Sequence, residues 1–165
     1  MRFRIEQRFD LAVEAVEEAL QDPGFVERMA GLPKLGHPQL VRREVDGPTV
    51  HTQVRYAFSG ELSSAVRAVV EPARLTWIED AVTDRRTHHT RFRILPDHYA
   101  NLLRCAGTFT LSAVDGGSMR LADGVIDVSV PLLGRKVERA IVSGLEDHAA
   151  AEVSLVQEWT AGSQP

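Results

Sequence analysis

The feature that most constrains this chain is a long proline-free segment near its C-terminal end, which predicts a helix over Leu133–Thr160. At 3.6 residues per turn, the segment is long enough for about seven turns. One broad face of this helix carries Val137, Ile141, Leu145, His148, Glu152, Leu155 and Trp159. Because a mainly apolar face of this width has to be covered along its length, the rest of the chain must supply a surface that wraps the helix.

The chain before this helix predicts a meander of antiparallel strands. Period-two alternation of apolar and polar side chains places strands at residues 3–9, 39–46, 49–58, 74–83, 87–94, 104–114 and 118–130. The connections between the later strands are short, as at Asp46-Gly47, and short connections favour antiparallel pairing. Gly124 interrupts the last strand, where a glycine is typical of a bulge or bend that lets a sheet curl.

Two short helices are predicted after the first strand. Asp10 is a suitable N-cap for a helix that ends at Asp22-Pro23-Gly24, and a second helix is predicted over residues 25–30. Residues 60–71 predict a loop with a helical turn. These elements together predict an α+β helix-grip fold, in which a curved antiparallel sheet of about six or seven strands wraps the C-terminal helix. We expect one domain over residues 1–160 and a disordered tail over residues 161–165.

Charge and cysteine content exclude several classes of protein. The 165 residues carry a net charge of −4, which provides no general attraction for nucleic acid. Cys105 is the single cysteine, so an intrachain disulfide and any multi-cysteine metal site are excluded. A chain without disulfides fits the reducing environment of the cytoplasm. The first residues lack the apolar run of a secretory signal, and no apolar run of about 18 residues predicts a membrane span.

Two stretches carry a resemblance to a known family: residues 15–26, which read AVEEALQDPGFV, and residues 128–138, which read VSVPLLGRKVE. With the order of elements, they make the chain resemble the START-like (SRPBCC) superfamily, which includes polyketide cyclases and the birch-pollen allergen group. Within it, the chain resembles a bacterial family of uncharacterised proteins. The motifs are structural: Pro131 and Gly134 form a corner between strand and helix, and Glu138 complements the helix macrodipole. The resemblance implies a cavity between sheet and helix, which the superfamily uses for sterols, other lipids, polyketides, plant hormones and flavonoids.

Nine residues are predicted to line this cavity. Inward alternation selects Tyr56, Phe58, Trp77, His88, Phe92 and Phe109 on the strands, and the helix adds Ile141, Leu145 and His148. A mainly apolar lining with a few polar tips is typical of small-molecule sites, although ordinary core packing explains the same apolar pattern. His148 and Glu152 lie one helical turn apart, and a histidine there can bond a ligand hydroxyl or transfer a proton near neutral pH.

No motif for metal, cofactor or nucleophile chemistry accompanies these residues. His88 and His89 would point to opposite faces of a strand, and so would Glu79 and Asp80, so neither pair makes a metal site or a catalytic pair. The sequence has no Gly-x-Ser-x-Gly motif and no glycine-rich loop that opens a helix. We therefore expect no metal and no cofactor.

The sequence thus favours a cytoplasmic protein that binds a hydrophobic or amphipathic small molecule, such as a lipid or polyketide, in the cavity. One alternative is a cofactor-independent cyclase, dehydratase or hydrolase in which His148, Tyr56 or His88 moves protons. Another is a protein-interaction module with a packed interior, which binds its partner through an exposed apolar patch. Whether the chain is an enzyme, which ligand it holds and its oligomeric state stay open at this point.

Overall fold

Seven antiparallel strands form one sheet in the computed structural model, which describes residues 1–32, 34–68 and 70–162. In chain order the strands are β1 (Arg2–Phe9), β2 (Leu35–Asp46), β3 (Thr49–Phe58), β4 (Thr76–Asp84), β5 (His89–Pro96), β6 (Leu103–Val114) and β7 (Gly117–Val128). Their order across the sheet is β1-β7-β6-β5-β4-β3-β2. The predicted meander is confirmed, and β1 adds to it by pairing with β7.

Within the described residues, four α-helices accompany the sheet. They are α1 (Val13–Gln21), α2 (Pro23–Arg28), α3 (Ser64–Arg67) and α4 (Gly134–Gly162). The predicted helix-grip α+β fold is confirmed, with two short helices after β1 and one long helix at the end of the chain. α4 continues past its predicted end at Thr160, and residues 163–165 of the predicted tail lie outside the described residues.

The start of α1 differs from the prediction. Asp10 does not cap this helix, because β1 stays paired with β7 up to Phe9 and the chain needs the following residues to leave the sheet. α1 begins after Ala12, without a side-chain cap. Asp22 caps α2 instead, where its Oδ1 accepts a hydrogen bond from the Gly24 N–H at 2.7 Å.

Several strands also begin elsewhere than predicted, and β5 and β2 show why. β5 begins at His89, because the two residues before it belong to the turn from β4: the Thr87 N–H donates to the Asp84 carbonyl at 3.3 Å, and His88 has a φ of 52°. β2 begins at Leu35, ahead of the predicted start at residue 39, because its first residues already pair with the end of β3. Register shifts follow that pairing, which explains why the alternation in sequence is hidden there.

Two apolar clusters fill the space between the sheet and the helices. One joins α1, α2 and the C-terminal half of α4 to the sheet, with Phe9, Val16, Phe25 and Val156 fully buried. The other lies under the N-terminal half of α4 and contains Phe3, Ala81, Phe92, Ile126 and Val128, with Val137, Ile141, Val142 and Leu145 of the helix packed against it. α4 is therefore covered over both halves, as its wide apolar face requires.

The corner between β7 and α4 depends on close backbone contact. A Cβ on Gly134 would lie 2.2 Å from the Val128 carbonyl oxygen, so a larger residue has no room. Glu138 is buried, and its Oε1 accepts a hydrogen bond from the Val128 N–H at 3.1 Å, while its Oε2 lies 3.7 Å from the amino group of Met1. Glu138 thus lies beyond the first turn of α4, where its predicted macrodipole role would apply, and ties the helix to the sheet instead.

Candidate functional site

An apolar pocket of about 90 Å³ lies between the sheet and the first half of α4. Its walls include Trp77 at the start of β4, Leu103 and Val128 on the sheet, and Val137 and Ile141 on the helix. The loop after α3, the loop between β5 and β6 and the corner between β7 and α4 also contribute to the lining. The pocket therefore sits at one end of the sheet, where the long helix begins.

Aromatic rings continue from this pocket along the inner face of the sheet. Tyr56 and Trp77 are paired across β3 and β4, and their rings stack with centroids 6.1 Å apart. Phe92 and Phe109 stack with centroids 4.6 Å apart. The structure thus brings four of the five predicted strand aromatics together in two ring pairs, and Trp77 is in direct contact with the pocket.

The predicted residues of α4 lie on the side that faces the sheet. Ile141 lines the pocket, and Leu145 packs one turn further along against the same cluster as Phe92. His148 follows on the next turn, and its Nδ1 is buried. The face of α4 expected from helical spacing therefore points into the fold.

Two other predicted residues lie apart from the pocket. Phe58 ends β3, and its ring packs so closely on the following loop that a Cβ on Gly60 would come within 2.6 Å of it. His88 lies in the turn before β5, at the opposite end of the hairpin from Trp77, and its Nδ1 is 3.2 Å from Oε2 of Glu17 on α1. His88 therefore lies in a turn and not on a strand. The strand alternation from which it was predicted to face the cavity does not apply to it.

Glu79 is an acidic residue on the inner face of β4, two residues after Trp77. Burial raises the pKa of its carboxyl to about 7, with the positive charge of Arg120 acting against this rise and the negative charge of Glu152 adding to it. The side chain is only half-buried, so part of it stays accessible within the fold. A carboxyl of this kind can hold or transfer a proton near neutral pH.

Arg120 anchors a buried polar network beside Glu79. Its Nη1 donates to Oε2 of Glu152 at 2.8 Å and to Oε1 of Gln7 at 3.2 Å, and its guanidinium lies 3.9 Å from the centroid of the Phe109 ring. The Gln7 side-chain amide donates in turn to Glu152 and to the carbonyl of Ala149, both at 2.8 Å. These bonds tie β1, β7 and α4 together under the helix.

Asp80 points to the outer face of β4, away from the pocket. Its Oδ1 lies 2.6 Å from Nε2 of His51 and accepts from the Gln53 amide at 2.9 Å, and its Oδ2 accepts from Nε of Arg93 at 2.8 Å. Burial alone would raise the pKa of Asp80, but these three partners outweigh burial and hold it at about 2. Asp80 is a structural carboxylate, ionised under ordinary conditions.

The sequence prediction did not include Glu79, Arg120 and Gln7 in the site. Each stands at an inward position of its strand, in phase with apolar neighbours. The signal that identifies them is a polar residue that interrupts the inward half of a period-two pattern. Gln7 shows this signal most plainly, because Phe3, Ile5 and Phe9 occupy the other inward positions of β1.

The site offers little for metal or thiol chemistry. In the described part of the chain, no three side chains of His, Cys, Asp or Glu come together in a way that could hold a metal ion. Burial raises the pKa of the Cys105 thiol to about 12, so the thiol stays protonated and is a poor nucleophile at neutral pH. Among the described helices, none is long and apolar enough to cross a membrane.

Residues 4–160 match the family described as "Protein of unknown function (DUF2505)". No curated protein matches the chain significantly in sequence. The family match covers nearly the whole chain, and its description carries no activity.

Solved structures resemble the whole fold at low sequence identity. TTHA0849 from Thermus thermophilus has a TM-score of 0.71 at 16% identity, covering 99% of this chain and 100% of that chain. The Zhui aromatase/cyclase from Streptomyces sp. R1128 has a TM-score of 0.64 at 13% identity, covering 98% of this chain and 93% of that chain. Ara h 8.0201 has a TM-score of 0.60 at 12% identity, covering 99% of each chain. These likenesses confirm the predicted helix-grip fold.

Proposed function

This chain belongs to the DUF2505 family of proteins of unknown function, and we propose that it binds a hydrophobic or amphipathic small molecule between the sheet and α4. The observation that carries the proposal is the apolar pocket between Trp77 on β4 and Ile141 on α4. Small-molecule sites are usually concave and mainly apolar, with a few polar groups that orient the ligand. The aromatic rings behind the pocket and the carboxyl of Glu79 fit that description.

The size of the pocket bears on what it holds. At about 90 Å³ it is smaller than the roughly 300–1,000 Å³ of a typical ligand site. A small ring fits the present space, whereas a lipid or polyketide needs the two loops at the rim to move outward. We place this binding in the cytoplasm and without a cofactor, in line with the sequence.

Filling the pocket tests the proposal. Ile141→Trp introduces a large side chain into the pocket wall, and Ala140→Trp introduces the same side chain at the neighbouring exposed position of α4. Each protein is incubated with a bacterial lipid and metabolite extract and studied by native mass spectrometry. We expect bound small molecules on the wild type and on Ala140→Trp, and none on Ile141→Trp.

Two results would overturn the proposal that this pocket binds a small molecule. Circular dichroism first establishes that Ile141→Trp is folded. If the folded variant still carries the same small molecules as the wild type, or if the wild type carries none, the pocket is not a binding site.

A second candidate function, proton-transfer catalysis, is favoured by one observation. Burial brings the pKa of Glu79 to about 7, where a carboxyl serves as acid or base at neutral pH, and the buried Tyr56 lies close enough for its own pKa to be affected by Glu79. A cofactor-independent cyclisation or dehydration needs only such groups. If the protein catalyses dehydration, a molecule recovered by native mass spectrometry loses the mass of water on incubation with the wild type and stays unchanged with Glu79→Gln.

A further inference from the structure

We propose that the ligand is an uncharged molecule with a carbonyl or hydroxyl oxygen, and that it extends beyond the pocket to Glu79, which donates a hydrogen bond to this oxygen. The inference rests on the proposed function and narrows it to one chemical class. It excludes a carboxylate, such as that of a fatty acid, or an amine as the ligand group that contacts Glu79.

Glu79 does not line the pocket itself but stands two residues further along the inner face of β4 than Trp77, which does. It shares a face of β4 with Trp77, and two residues of strand span about 7 Å. Its neighbours across the sheet are Val54 on β3 and Ile94 on β5, which offer no polar side chain. A ligand that enters beside Trp77 therefore meets the Glu79 carboxyl as it reaches deeper.

The Glu79 carboxyl also lacks a protein partner. Across residues 1–32, 34–68 and 70–162, Glu79 makes no hydrogen bond or ion pair. Polar groups inside proteins almost always have a hydrogen-bond partner, and one without a partner destabilises the fold. The residue is half-buried and so keeps some accessible surface that a ligand could contact.

Arg120 is the cation whose charge acts on Glu79, and it is already occupied, whereas Arg74 lines the pocket itself. The Arg120 guanidinium is bonded to Glu152 and Gln7 and lies against the Phe109 ring. An incoming carboxylate would have to displace Glu152, which is itself buried, and would lie near the carboxyl of Glu79. The network therefore disfavours an anion beside Glu79.

The charged and titratable groups around Glu79 come from four elements. They are Tyr56 on β3, Cys105 on β6, Arg120 on β7 and Glu152 on α4. Burial raises the pKa of Tyr56 and of Cys105, so both are uncharged at neutral pH, while Arg120 and Glu152 neutralise each other. Opposite Glu79, β5 offers Ile94, and the inward Gln7 of β1 is uncharged.

These charges predict the direction of the pH dependence. Below pH 7 the Glu79 carboxyl is protonated and donates to a carbonyl oxygen, and above pH 7 it is ionised and cannot. A ketone should therefore bind more weakly as the pH rises through 7. A protonated amine would show the opposite trend, because it needs the ionised carboxyl.

The experiment uses probes of matched shape with the whole chain. The probes are 2-acetylnaphthalene, 2-naphthoate and 2-naphthylmethylamine, titrated by protein-observed NMR at about pH 5.5 and about pH 8.5, on either side of the Glu79 pKa. We expect the ketone to bind most tightly of the three at the lower pH. Its affinity should fall at least about tenfold at the higher pH, because most Glu79 carboxyls are then ionised.

Two variants separate recognition from a general effect of pH. In Glu79→Gln the amide donates at every pH, so the affinity for the ketone should no longer change between the two conditions. Glu6→Gln alters an exposed residue on the other face of β1 and should keep the wild-type pH dependence.

Every result of these titrations supports or overturns the inference. Tighter binding of the naphthoate or the amine than of the ketone overturns it while the binding function stands. An unchanged pH dependence in Glu79→Gln overturns it as well. If no probe binds, the inference fails, and the separate test with Ile141→Trp shows whether the binding function fails with it.

Discussion

Glu79 and Asp80 are neighbours in sequence, yet β4 places them in opposite environments. Glu79 points inward, and burial raises the pKa of its carboxyl to about 7. Asp80 points outward, where His51, Gln53 and Arg93 overcome the effect of burial and hold the pKa at about 2. Burial alone therefore does not set the state of a carboxyl in this fold; the number of partners within hydrogen-bond distance does.

The two carboxyls act on stability in opposite directions. The folded state holds a proton on Glu79 above the ordinary pKa of 4.5, so stability is lost as pH rises from about 4.5 to about 7. The folded state keeps Asp80 ionised below the ordinary pKa of 3.8, so its contribution is present above that pH and is lost as pH falls towards 2. A binding site can tolerate a buried carboxyl without a protein partner, as at Glu79, because a ligand supplies the missing hydrogen-bond partner.

The largest effect is expected from Arg120→Leu, which removes the positive charge near Glu79 on the inner face of the sheet. The substitution leaves Glu152 buried without its cation, and removing one partner of a buried ion pair typically destabilises by about 3–5 kcal/mol. It also removes the positive charge that lowers the pKa of Glu79, which should rise further, while that of Asp80 stays unchanged. Urea unfolding at neutral pH measures the stability, and carbon-13 NMR of the carboxyls measures the pKa values.

Arg104→Leu is the matched control for this variant, because Arg104 is exposed on β6. It should change the stability little. Equal losses of stability in Arg120→Leu and Arg104→Leu would show that the buried network does not stabilise the fold.

Glu79→Gln should produce the next largest effect, in the opposite direction. The amide carries no charge to desolvate, so above pH 7 the variant should be more stable than the wild type by up to about 3 kcal/mol. Near pH 4 the two proteins should be equally stable, because the wild-type carboxyl is then protonated. Urea unfolding at both pH values is the measurement, and a difference that does not depend on pH would contradict the assignment.

Asp80→Asn should have the smallest of the three effects and tests the outer side. At neutral pH the variant should lose about 2 kcal/mol at most, because Arg93 is largely exposed and water screens its bond to Asp80. The difference from the wild type should shrink as the pH falls from about 4 towards 2, which urea unfolding across that range measures. A loss that stays constant over this range would mean that packing, and not charge, explains the effect of the substitution.

Much of the fold could be predicted from local patterns. The helical spacing of Ile141 and Leu145 identified the face of α4 that meets the sheet. Strand alternation placed Tyr56 and Trp77 on the inner face of the sheet. Element ends were less predictable. Asp10 has the residue type of an N-cap, but pairing of β1 with β7 decided where α1 begins.

The candidate site was predicted in part. Periodicity identified Trp77 and Ile141 among its walls but not the loop residues that complete it. His88 was assigned to a strand because the left-handed turn before β5 has no clear mark in the sequence. The spacing of Glu79 along β4 shows that it faces inward. That spacing does not show whether another side chain forms a hydrogen bond with its carboxyl.

The sequence by itself determined which side chains share a face, because that depends on a spacing of two or 3.6 residues along one element. Only the tertiary structure decided which inward polar groups are paired. Glu152 bonds to Gln7, which is 145 positions away in sequence, and to Arg120, which is 32 positions away. Glu79 faces the same interior and, among the residues that the structure describes, receives no such bond. Hydrogen-bond partners are chosen by distances across the packed elements, which no local spacing encodes.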